Sequence, residues 1–402
     1  MLKSGLILTL AAVASARHCQ NITVPVSISS RNGVFDLAPP STNIEVTNLF
    51  LRTAWPGNNG TASVLKGSLR HVQYKTVSGE YKLAATYCEP DDGPGHTLQI
   101  LTHGVGFDRS YWDFPFGSYN YSYVNRALDA GYSTLTWDRL GIGHSSHGDP
   151  VNEIQIFLEV AALKALTDIA RHGQLCGVSH RFDKTVHLGH SFGSAMTYAL
   201  TASHPNITDG IVLTGFSQVP QFMAYFALGA NFAPVGENDV LARQYAAGYV
   251  APRDSIGVHI NFFGPGDFDP EVLKVATQTG QPAAVGELLT VGSVPKSSEF
   301  PGPVMIITGG KCRHVVPNST VSAQLTKLIA ADRDIPFCGG NCMNTMAING
   351  SAPNLVEYSK GSFKKACAFQ ATVVPNAGHG LNYNYNAPDV YRAITDFIKA
   401  NV

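Results

Sequence analysis

The pentapeptide Gly189-His190-Ser191-Phe192-Gly193 stands between an apolar run, "KTVHLGH", and a helical pattern, "SAMTYALTASH". A serine there sits on a tight strand-to-helix turn, where its hydroxyl is held out and the following N–H points toward the same cavity. Ser191 is therefore the candidate nucleophile. A hydroxyl needs a base, and of the 14 histidines His379 in "VVPNAGHGLN" is the best placed. A Gly-flanked loop after the last apolar run can carry an imidazole over the sheet edge to Ser191. Attack on a carbonyl also needs two N–H donors for the developing oxyanion. Phe192, next to the nucleophile, supplies one. The other is expected at Val105, in the His103-Gly104-Val105-Gly106 turn that ends "TLQILTHG". Asp138 and Arg139 in "WDRLGIGHS" follow another strand and are expected to form a structural pair that shapes the turn beside the nucleophile.

These groups need a scaffold. Residues 17 to about 95 hold alternating segments, "LRHVQYKTV" and "YKLAATY", that predict antiparallel strands leading into a sheet. Six apolar runs follow, at 97–104, 132–139, 184–190, 210–216, 303–309 and 366–375, with the continuous hydrophobicity of strands buried on both faces. Helical patterns lie between several of them, notably "NEIQIFLEVAALKALTDIARHG". The alternation predicts an α/β fold with a mostly parallel sheet covered by helices. Residues 217–300 interrupt it with an aromatic, Gly- and Ala-rich stretch, expected as a cap or lid over the active face or as a helical subdomain with its own small core. The core is then 96–216 with 301–402.

The chain has 402 residues, a net charge of -1, 14% charged residues and no basic run. Nothing in that balance calls for nucleic acid or an anionic membrane surface as partner. The start, "MLKSGLILTLAAVASA", has one Lys, a short apolar run and a small-residue Ala14-Ser15-Ala16 site, the pattern of a secretory signal peptide over 1–16, with a mature chain beginning near Arg17. No later apolar run reaches the roughly 20 residues of a membrane span. Six sequons, at Asn21, Asn59, Asn120, Asn206, Asn318 and Asn349, agree with secretion and glycosylation. An exported chain holds its thiols as disulfides, and the seven cysteines leave one over.

"LTHGVGFDRSYWDF", "WDRLGIGHSS", "GHSFGSAMTYAL" and "IVLTGFS" together resemble the α/β-hydrolase superfamily over nearly the whole chain after residue 95, and with "PFCGGNC" they resemble a group of secreted fungal members. The resemblance implies the α/β-hydrolase fold and the order nucleophile, acid, histidine. It also implies an acid in a Gly-x-x-Asp turn after the strand that follows the insertion. Here Gly309 is followed by Gly310, Lys311 and Cys312, and a neutral thiol cannot stabilise an imidazolium. Asp334 is the preferred acid and Asp332 the second. Removal of the 22 residues 310–331 would restore "VMIITGDRDIPFCGGNC", with Asp334 three residues after Gly309. Gly310-Lys311-Cys312 can be encoded with the splice-donor string GTAAGT, so this segment is expected to be a retained intron, with a genuine surface insertion as the alternative. Its removal would also leave six cysteines, suited to three disulfides.

The expected activity is a secreted serine hydrolase acting on a small hydrophobic ester or lactone, including a fungal secondary metabolite. Tyr111, Trp112 and the Phe-rich insertion are expected to make the pocket apolar, with a place in the core as the equal alternative for any single one of them. Acyl transfer or a lyase reaction on the same triad, and a catalytically silent binding protein, are the alternatives. No cofactor is called for, and neither Cys312-Arg313-His314 nor Cys338 to Cys342 has the spacing of a zinc site.

Overall fold

The computed structural model describes residues 17–54, 73–310 and 334–402. The signal-peptide segment, Asn59, Asn318, Cys312, Asp332 and all of 310–331 but Gly310 lie outside the described residues. Eight strands form one sheet: β1 (His18–Gly33), β2 (Tyr74–Glu89), β3 (Thr97–Thr102), β4 (Ser133–Trp137), β5 (Lys184–His190), β6 (Gly210–Thr214), β7 (Val304–Gly310) and β8 (Phe369–Pro375). Their spatial order is β1-β2-β4-β3-β5-β6-β7-β8. β1 pairs antiparallel with β2, and β2 antiparallel with β4. All the remaining pairs are parallel.

Burial follows the sequence pattern. β3 to β7 are apolar and buried along nearly their whole length, as strands covered by helices on both faces must be. β1 alternates buried and exposed residues instead. β8 departs from expectation: at the sheet's edge, it buries only Val374.

Among the described residues, the α-helices longer than four residues are α1 (Asn43–Ala54), α2 (Tyr123–Asp129), α3 (Ile156–Arg171), α4 (Phe192–Ser203), α5 (Met223–Gly229), α6 (Ser255–Phe262), α7 (Pro270–Gln278), α8 (Val285–Thr290) and α9 (Ala387–Asn401). The stretch 17–95, expected to hold strands only, thus contains α1 as well. Residues 217–300 carry α5 to α8 and a small antiparallel sheet of Phe232–Pro234, Tyr249–Pro252 and Ala283–Ala284. Among the described residues, no helix is long and apolar enough to cross a membrane.

Two disulfides form, Cys19–Cys88 across paired positions of β1 and β2, and Cys338–Cys342. Among the described residues no third forms, and Cys176 and Cys367 are exposed thiols. Their loops lead into β5 and β8, which β6 and β7 hold apart. Of the sequon asparagines, Asn21, Asn120, Asn206 and Asn349 are exposed.

Candidate active site

Ser191 ends β5 and caps α4 with φ 54° and ψ −114°, a conformation costly for any residue with a Cβ. Two neighbours hold it there. Its N–H donates to the Thr214 carbonyl at 2.9 Å, while the Ala195 N–H donates to its own carbonyl at 3.1 Å. The turn closes only because Gly193 has no side chain: a Cβ there would lie 2.3 Å from the Thr102 carbonyl oxygen at the end of β3. The strand-to-helix elbow read from the pentapeptide is present.

The loop after β3 presses against this turn. A Cβ on Gly104 would come within 2.9 Å of the Ser191 Cβ, so the backbone carrying Val105 passes beside Ser191. Neither the Val105 nor the Phe192 N–H has a hydrogen-bond acceptor among the described residues, and both residues line the same cavity as Ser191. His103 fixes this loop. Its Nδ1 donates to the Gly104 carbonyl at 2.8 Å and its Nε2 accepts from the Arg139 N–H at 3.0 Å, a pairing that defines the neutral tautomer. Burial, with Arg139 beside it, holds His103 well below the usual histidine range.

Asp334 meets His379 at the far ends of β7 and β8. Its Oδ2 lies 3.1 Å from His379 Nδ1 and also accepts from the Thr308 hydroxyl, while Oδ1 accepts from the Phe337 N–H at 3.0 Å. Both side chains are fully buried. Facing a carboxylate, Nδ1 carries the ring proton and leaves a lone pair on Nε2. The imidazole lies between two aromatic rings, Phe262 of α6 at 6.0 Å and Phe337 at 5.7 Å between centroids. No hydrogen bond joins it to Ser191: Nε2 has no partner among the described residues. The structure therefore brings acid and base together and sets the serine on its elbow, but leaves the serine-to-imidazole contact open.

Asp138 and Arg139 do not pair with each other as expected. Asp138 accepts from the Arg109 N–H and guanidinium and from the His144 N–H, and burial pushes its carboxyl up despite Arg109. Arg139 turns the other way, donating to Glu159 of α3 at 2.6 Å and to Glu287 of α8, with its guanidinium 4.5 Å from the Phe192 ring centroid.

The cavity in front of Ser191 has a volume of about 240 Å³. Tyr111 and Trp112, expected in its wall, are core residues instead. Tyr111 stacks on His190 at 4.3 Å and Trp112 packs edge-on against Tyr111 and Tyr123, which places both behind the elbow. Burial and the neighbouring His379 hold His190 well below the usual histidine range. The wall comes from α1, α5 and α8, with Val105, Phe192 and Phe337 at its base. The contribution of α1 was not foreseen, although Val46, Leu49, Phe50 and Thr53 have helical i, i+3, i+4, i+7 spacing.

The profile of the alpha/beta hydrolase family matches residues 99–394. The chain belongs to the alpha/beta hydrolase family. Solved members of that fold resemble it at low identity. The malate-bound thermophilic esterase from Thermogutta terrifontis superposes with a TM-score of 0.50 at 16% identity, covering 80% of this chain and 94% of that one. Epoxide hydrolase A from Mycobacterium thermoresistibile gives 0.47 at 15%, covering 80% and 96%. The monoacylglycerol lipase from Paleococcus ferrophilus gives 0.46 at 14%, covering 78% and 97%. None of the curated proteins compared with the chain matches it. Ser191, Asp334 and His379 of this alpha/beta hydrolase lie inside the matched span, whereas α1 lies outside it.

Proposed function

We propose that this chain is an exported serine hydrolase that cleaves small hydrophobic esters or lactones. The observation that carries the reading is Ser191, held at positive φ and facing an apolar cavity, with the buried Asp334–His379 pair built into the adjoining strand ends.

Ser191 Oγ attacks the carbonyl carbon while its proton passes to His379 Nε2. The negative charge that moves to the carbonyl oxygen is received by the Val105 and Phe192 N–H groups. Asp334 stabilises the imidazolium so formed, and its bonds from Thr308 and Phe337 keep it aimed. When the tetrahedral adduct collapses, the alkoxide leaves with the proton from His379 and the acyl group stays on Ser191. Water then attacks that ester, gives a proton to His379, and the second collapse returns the proton to Ser191 and releases the acid. The first step requires the serine-to-imidazole contact to close, a tightening that unliganded sites commonly need.

Export is supported by the signal-like start, by four exposed sequon asparagines and by two disulfides. The resemblance to secreted fungal hydrolases extends the reading to esters or lactones of secondary metabolites. The test is a panel of p-nitrophenyl esters and lactones with the wild type and Ser191→Ala, alongside labelling by a fluorophosphonate. Turnover and labelling that both vanish with Ser191→Ala are expected; labelling at another residue, or turnover that survives the substitution, would refute the assignment.

A further inference from the structure

The cavity is closed by a helix that the family match does not reach. α1 precedes the matched span, yet Leu49, Phe50, Thr53 and Ala54 line the cavity together with Val105, Ser191 and Phe192. Its inner face is set by sequence: Val46, Leu49 and Phe50 are buried, on the side that faces α5 and the strand Phe232–Pro234. Phe50 stacks on Phe232 with centroids 4.9 Å apart. The N-terminal end is tied to the same region, because the Asn43 side chain bonds to both Glu237 and Arg253, which also pair with each other at 2.8 Å. α1 thus belongs structurally with residues 217–300, not with the strands that flank it in sequence.

The chemistry of the wall is restrictive. Among the described residues it contains no charged side chain, and the side-chain hydroxyls there are those of Ser191 and Thr53. Thr53 spends its hydroxyl on the Leu49 and Phe50 carbonyls of its own helix, at 3.2 and 3.1 Å. No wall side chain is therefore left to receive a carboxylate, an ammonium or a sugar hydroxyl, and a charge placed there would be desolvated without compensation. At about 240 Å³ the space falls below that of pockets for drug-sized ligands, and it suits one aliphatic chain.

We propose that α1 is the second jaw of the acyl-binding pocket and sets acyl-chain length, so that the preferred substrates are esters of uncharged aliphatic acids of medium length. The proposal rests on the ester-hydrolase reading of Ser191. Each methylene buried between α1 and α5 raises kcat/KM by about fourfold until the cavity is filled, after which the series falls. A residue on the inner face of α1 then decides where the maximum lies.

The experiment measures kcat/KM for p-nitrophenyl esters from acetate to dodecanoate, with a succinate monoester beside the butyrate. Ala54→Trp, which fills the cavity, should move the maximum to shorter chains, and Leu49→Ala, which enlarges it, should move it to longer ones. Leu51→Ser, on the exposed outer face of α1, should leave the profile of the wild type. The charged succinate ester should be poorer than butyrate by more than about 100-fold. Because the two inner-face variants shift the maximum in opposite directions, misfolding of one does not remove the test. Esters hydrolysed with an unmoved maximum in both variants, or with succinate accepted as well as butyrate, would overturn the role of α1 and leave the hydrolase reading standing. No hydrolysis of any ester and no fluorophosphonate label on Ser191 would overturn both.

Discussion

Two of the buried clusters of ionisable side chains, Asp334 with His379 and Arg139 with Glu159 and Glu287, are satisfied very differently. Asp334 has a donor at each oxygen and three in all. In the second group one guanidinium nitrogen serves both glutamates, while Arg139 Nε and Nη2 and Glu159 Oε2 have no partner among the described residues. Two carboxyls share one guanidinium. Burial, reinforced by the neighbouring Glu287, lifts the Glu159 carboxyl well above the ordinary range even though Arg139 opposes it. Burial also disfavours the Arg139 cation, but attraction to the two glutamates outweighs it and raises Arg139. The first group has its polar atoms matched except for His379 Nε2, the nitrogen that the proposed reaction would use. The second is a clasp between α3 and α8 in which burial favours the protonated form of Glu159.

That contrast can be broken at several points. Asp334→Asn keeps the shape and removes the charge, so turnover should fall on the order of 10⁴-fold, measured as kcat on the best ester, with little change in the denaturation midpoint. Arg139→Met should do the reverse first: two carboxyls are left buried without their cation, and stability should drop by about 3–5 kcal/mol in chemical denaturation. Glu159→Gln mimics the protonated acid and should cost no more than ~1 kcal/mol at neutral pH. Its signature is in the pH profile. In the wild type the folded form of Glu159 binds its proton more tightly than the unfolded form, so stability is lost as pH rises above the ordinary value of 4.5 toward the raised one. In Glu159→Gln that part of the slope should disappear. A slope that persists would assign the proton to another group.

The smallest effect is expected where the chain looks most disturbed. Thr308 donates to Asp334, so the end of β7 and the acid lie side by side although 26 positions separate them in sequence. Two residues between Gly309 and Asp334 span up to ~10 Å, enough for that separation. A chain lacking 310–331 should therefore turn over the best ester at the full-length rate or faster. Slower turnover would mean that Asp334 needs more than the partners named here.

The parts legible in the sequence are those whose information is local. Continuous apolar runs marked β3 to β7, and the two glycines around His190-Ser191-Phe192 marked a turn that tolerates no side chain at Gly193. Asp334 was singled out only through the resemblance, since Thr308 and His379, which it meets in the fold, lie 26 and 45 positions away in sequence. What stayed hidden depends on contacts distant in sequence. Tyr111 and Trp112 are apolar enough for a pocket or a core, and only the stacking on His190 decides. Asp138 and Arg139 are adjacent, yet their side chains leave β4 toward Arg109 on one side and Glu159 and Glu287 on the other. α1 had the right period in plain view, but its partner, Phe232, is far along the chain.

β1 is one of the two outer strands of the sheet, 16 residues long and, among the described residues, paired on one side only. Such an edge invites another chain to add on, which makes it the place where this protein would first aggregate. Pro25 interrupts its row of N–H groups, and Asn21, an exposed sequon, lies near its start. The Asn21 side chain accepts from the Thr86 hydroxyl of β2, on a face of the sheet, so a sugar there would stand over that face at the outer edge and keep a second sheet from stacking on it.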